Sequence, residues 1–81
     1  MMHYRILIDG TDRMMTDVYQ GALNWLENKL KEIAKERDTS GHKSKAWDYL
    51  RAAKRVSCYT QSCEFTISMD NHVYELKAKS S

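Results

Sequence analysis

The sequence is expected to fold as a small single α+β domain spanning residues 1–81, in the order β-α-α-β-β(-β), with helices packed on one face of a mostly antiparallel sheet. Three observations carry that expectation. Residues 63–78 fold on paper into a hairpin whose cross-strand pairs all make physical sense, residues 17–38 repeat apolar side chains at the helical period, and residues 2–8 alternate. At 81 residues the chain has room for one hydrophobic core, near the size at which a core alone yields about 3 to 5 kcal/mol.

The first element is a strand. Tyr4, Ile6 and Ile8 lie on one side of it and His3, Arg5 and Leu7 on the other, and Asp9-Gly10 closes the run. From Asp17 the period becomes helical: Tyr19, Ala22, Leu23, Leu26, Leu30, Ile33 and Ala34 form one stripe, with Gln20, Asn24, Glu27, Lys31 and Lys35 opposite. Asp17 followed by Gln20 resembles a capping box, and Asp38-Thr39-Ser40-Gly41 supplies the stop near Arg37 or Asp38. Ser44 is expected to cap a second helix with Ala46, Trp47, Leu50 and Ala53 on its apolar face. Residues 56–60 carry β signals and either continue into 63–69 or turn back at Gln61-Ser62.

The hairpin is the best-specified element. With Asp70 and Asn71 as the central turn residues, Met69 faces His72, Ile67 faces Tyr74, Phe65 faces Leu76 and Cys63 faces Ala78 on an apolar side. The polar side pairs Ser68 with Val73, Thr66 with Glu75 and Glu64 with Lys77. A slip of one residue would turn the apolar set to water, which fixes the register.

Chemistry is sparse. No apolar run approaches the roughly 20 residues that span a bilayer, so no membrane association is expected, and the absence of a leader-like start points to a cytoplasmic setting. The cysteines, Cys58 and Cys63, are expected to be reduced packing residues, because a zinc site would have to recruit both together with His42 and His72 from scattered segments. A phosphatase-like reading of Asp9-Gly10-Thr11-Asp12 needs an aspartate where Thr11 stands, so a turn with Gly10 at positive φ and Asp12 bonding nearby amides is expected instead. There is no histidine pairing suited to a triad and no Gly-rich phosphate loop. Neither catalysis nor a cofactor or metal is therefore expected.

Charge is more informative. Lys43, Lys45, Arg51, Lys54 and Arg55 stand against Asp48 alone, so this segment more than accounts for the formal net charge of +2. Trp47 lies one turn from Arg51, and Trp25 flanks the stripe of the long helix, where it packs beneath the second helix or serves as an exposed anchor. The expected function is that of a non-catalytic protein-protein interaction module, an inhibitor or adaptor that meets an acidic surface through Lys43, Lys45, Trp47, Arg51, Lys54, Arg55 and Trp25. The alternative is a nucleic-acid-binding domain that contacts phosphates through the basic helix at 43–55. Assembly into a homodimer is a further class.

Overall fold

The computed structural model describes residues 1–59 and 64–80. Its elements run β1 (Met2–Ile8), β2 (Thr11–Thr16), α1 (Tyr19–Thr39), α2 (Lys43–Ser57), β3 (Phe65–Met69) and β4 (His72–Ser80). The fold is α+β, with all strands in one antiparallel sheet of order β2-β1-β4-β3. Contacts divide the chain into two compact units, one formed by residues 1–22 with 60–81 and the other by residues 23–59.

In the first unit, both hairpins turn through two residues that have positive φ. Asp9 (φ 53°) with Gly10 (φ 80°) joins β1 to β2, and Asp70 (φ 54°) with Asn71 (φ 61°) joins β3 to β4. Positive φ at both positions is the type I′ geometry, whose twist matches that of the flanking strands, and Asp, Asn and Gly are the residues that tolerate it. The β3–β4 register is Phe65 with Leu76, Thr66 with Glu75, Ile67 with Tyr74, Ser68 with Val73 and Met69 with His72, as the pattern predicts. The pairing of Cys63 with Ala78 and a turn at Gln61-Ser62 lie outside the described residues. Glu64 does not pair with Lys77: its carboxylate accepts the Ala78 N–H at 2.8 Å, and Lys77 instead lies 3.5 Å from Glu75.

β2 is a strand the sequence does not announce. Ile6 faces Met14 while Leu7 faces Asp12, so Arg13 is the extra residue of a β-bulge, and the bulge breaks the period of two by which a strand is recognised. One sheet face carries the buried side chains Tyr4, Ile6, Ile67, Tyr74 and Leu76. The other is half-buried to exposed through Arg5, Leu7, Thr66, Ser68, Glu75 and Lys77. Asp12 does not bond backbone amides, because its carboxylate takes the Arg5 guanidinium at 3.3 Å.

α1 starts later than its capping-box pattern suggests. The Ala22 N–H donates to the Val18 carbonyl, so Val18 rather than Asp17 opens the helix, and Thr16 Oγ1 accepts the Val18 N–H. Tyr19, in the first turn, packs edge-on against Tyr4 with ring centroids 5.2 Å apart. In the second unit, Leu23, Leu26, Leu30 and Ala34 are buried as their spacing predicts. The helix ends in a Schellman motif: the His42 N–H donates to the Arg37 carbonyl at 2.8 Å and the Gly41 N–H to the Asp38 carbonyl at 3.1 Å, with Gly41 at φ 82°.

α2 departs most from expectation. It continues through Ser57, so Val56 and Ser57 are helical rather than the start of a strand. The physical reason is the spacing of Tyr49, Ala52, Ala53 and Val56 at i, i+3, i+4 and i+7, which buries all of them on one helical face and outweighs the β preference of Val56. This stripe also displaces Trp47 and Leu50 from the apolar face to the surface, where they are 62% and 46% exposed. Ser44 lies inside the helix rather than at its cap, and the residue at the cap, His42, makes no side-chain capping bond.

Candidate interaction site

The outward face of α2 is built by the same periodicity that buries Tyr49. With five residues turned inward, Lys43, Trp47, Leu50, Arg51 and Lys54 project on the far side of the helix. Tyr49 anchors the inner side and is fully buried, with the Arg37 guanidinium 6.0 Å from its ring centroid. The exposed face is therefore held on a rigid base. Arg51 reaches Asp48 only at 4.0 Å, with both side chains mostly exposed, so the ion pair is weak.

Beside this face lies a groove of about 320 Å³, lined by the apolar residues Ala34, Ala46, Trp47 and Leu50 and by the charged residues Lys31, Lys35, Asp38 and Lys43. Of the α2 residues that line this groove, the sequence singles out Lys43 and Trp47 as candidate binding residues and places Ala46 and Leu50 on the apolar face; it singles out none of the α1 residues. The missed signal is the column Lys31, Lys35 and Asp38 at i, i+4 and i+7, in which Lys31 also pairs with Glu27 at 2.8 Å. A second depression is lined by Ser44, Trp47, Asp48 and Arg51, so Trp47 lines both.

The start of α2 goes against helix electrostatics. No acidic side chain lies in its first turn, no side chain caps it, and Lys43 and Lys45 sit where the helix end is already positive. Each choice costs helix stability and raises the local positive potential. Among the remaining predicted site residues, Lys45, Lys54 and Arg55 are exposed, the last two in the final turn, where cations are favourable. Trp25 stands apart: it is half-buried beside Asn28, Lys29 and Glu32 of its own helix and does not line the groove with Trp47.

In the sheet unit, the most organised polar cluster joins the two hairpin turns. His72 Nδ1–H donates to Asp9 Oδ2 at 2.6 Å, Asp9 Oδ1 accepts the Val73 N–H at 2.9 Å, and the Asp9 N–H donates to the Val73 carbonyl at 2.8 Å. The His72 hydrogen bond, helped by the Val73 amide, holds the Asp9 carboxyl below the usual carboxylate range. This is an oriented imidazole, but the side chains are 42% and 47% exposed, and it serves as a latch between turns. Among the described residues no group of three or more His, Cys, Asp or Glu side chains is arranged to hold a metal ion, and Cys58 is an exposed free thiol. No described helix is long and apolar enough to cross a membrane. Comparison with known proteins finds no matching family, no matching curated protein and no matching solved structure.

Proposed function

We propose that this protein is a non-catalytic protein-binding module, of the inhibitor or adaptor kind, that receives an acidic amphipathic segment of a partner protein along α2 and its groove. The observation that carries this reading is the exposed pair Trp47 and Leu50 set among Lys31, Lys35, Lys43 and Arg51. Large apolar side chains ringed by one sign of charge suit a partner that offers both an apolar anchor and carboxylates. A nucleic acid backbone supplies the charge but no apolar counterpart for Leu50, which is why a protein ligand is preferred. The uncapped, acid-free start of α2 adds to the case, because a partner carboxylate there would compensate what the sequence leaves unbalanced. The partner is to be sought in the cytoplasm, where the Cys58 thiol stays reduced.

The test is affinity capture from host extract with the parent and with an Arg51→Glu/Lys54→Glu variant, followed by titration of whatever the parent retains. The expected result is a partner with an acidic surface that the variant loses while its melting temperature holds, and that Trp47→Ala binds about 30-fold more weakly. Equal retention by parent and charge-reversed protein would place the site elsewhere. Steeply salt-dependent binding of random DNA or RNA by the parent, abolished in the same variant, would replace this reading with the nucleic-acid one.

A further inference from the structure

The two edges of the sheet are treated differently. On the β2 edge the charged pair Asp12 and Arg13 and the bulge at Arg13 are devices that discourage strand addition. The β3 edge has none of them: Phe65-Thr66-Ile67-Ser68-Met69 is uncharged, proline-free and regular in register.

The backbone on that edge points outward at defined places. Across a two-residue type I′ turn the flanking residues Met69 and His72 exchange hydrogen bonds, so Ile67 and Tyr74 do as well, and the alternate residues Thr66 and Ser68 direct N–H and C=O away from β4. Three hydrogen bonds support this parity. Val73, the partner of Ser68, uses its N–H and C=O on Asp9 at the β1 side, and Ala78, of the opposite parity, sends its N–H toward β3, where Glu64 accepts it. No described residue hydrogen-bonds the outward groups of Thr66 or Ser68.

We propose that β3 pairs antiparallel with β3 of a second copy of this chain, on a two-fold axis at Ile67, to make a continuous eight-stranded sheet. The occupant follows from self-complementarity. Antiparallel pairing about Ile67 sets Thr66 opposite Ser68 of the second copy twice over, so all four outward groups of each copy form hydrogen bonds and the small hydroxyl side chains meet without charge conflict; the only like charges the register opposes are Glu64 and Asp70 of the second copy at the strand ends, where Glu64 is turned back onto the Ala78 N–H. On the other face the half-buried Phe65 lies opposite the half-buried Met69 of the second copy, while Ile67, on the axis, is already buried within its own protomer. This surface is independent of the α2 groove, and either proposal can fail alone.

Sedimentation of the parent from low micromolar to the highest soluble concentration should show a monomer-dimer equilibrium. Thr66→Lys/Ser68→Lys places like charges in both cross-strand pairs and should give monomer throughout. Thr66→Lys/Ser68→Glu places opposite charges in the same pairs and should restore the dimer at low salt. Both positions are exposed, and circular dichroism checks that the variants fold. In the parent itself, amide exchange at Thr66 and Ser68 should slow as concentration rises. The proposal is overturned by a parent that stays monomeric with concentration-independent exchange, by a Lys/Lys variant that dimerises like the parent, or by a folded Lys/Glu variant that does not recover.

Discussion

Trp47 and Tyr49 are two residues apart on one helix and have opposite fates, which makes them a direct measure of how α2 is oriented. Tyr49 is fully buried, so Tyr49→Ala should lower stability by about 3 to 5 kcal/mol, as large-to-small changes of buried aromatic residues do. Trp47→Ala should change it by no more than about 0.5 kcal/mol, because the indole is mostly exposed. Urea midpoints of the two variants decide this, and the reverse order would mean that the helix presents its other face. Asp9 offers a second probe at this scale. Its carboxyl is held below the usual range in the folded protein, so the unfolded chain takes up the proton first as pH falls, and the latch's contribution is fully present above the ordinary carboxylate range and fades as pH drops through the lowered value. Asp9→Asn keeps the left-handed turn geometry but removes this titration. The variant should therefore lose less stability than the parent between neutral and strongly acidic pH, as measured by melting temperature against pH.

Elements were legible where local pattern and final burial agree. The β3–β4 hairpin could be read pair by pair because side-chain alternation and Asp-Asn turn chemistry both select one register. The Gly41 stop of α1 was legible for the same reason. β2 was not, since the bulge at Arg13 removes the alternation, and the end of α2 was not, since Val56 and Tyr59 look like strand residues until Tyr49, Ala52 and Ala53 are read with Val56 as one helical stripe. At the candidate site, Trp47 and the α2 cations stand out by charge and composition, whereas Lys31 and Lys35 look like an ordinary solvated helix face until the groove places them beside Lys43. The unsatisfied start of α2 gives the prediction for this scale. His42→Asp supplies both a capping oxygen and a favourable charge at the helix N-terminus and should stabilise the protein by about 1 kcal/mol in denaturant titrations. If the local positive potential serves an acidic partner, the same substitution should weaken partner binding several-fold. A variant that is more stable and binds equally well would show the first turn to be unoptimised and without a role in binding.

Across the whole chain a modest net charge of +2 conceals a segregation, with most of the uncompensated cations on or beside α2. Such a distribution acts chiefly on the rate of encounter. Exposed charges around an apolar anchor attract an acidic partner over roughly one Debye length, about 8 Å at physiological ionic strength, and contribute less once the partner is seated. In the proposed complex the Trp47 indole, exposed in the free protein and desolvated only on binding, would act in the opposite way, since its contacts would form late and be lost on departure. Stopped-flow measurements with the captured partner should separate the two. Raising the salt concentration should slow association severalfold and leave dissociation nearly unchanged, and Arg51→Glu/Lys54→Glu should flatten that salt dependence. Trp47→Ala should leave association near the parent value and speed dissociation. If salt acts instead on dissociation, the Lys and Arg side chains are buried contacts of the bound state rather than its rim. If neither rate responds to salt, the partner does not enter through α2, and the half-exposed sheet face around Arg5, Thr66 and Glu75 becomes the surface to mutate next.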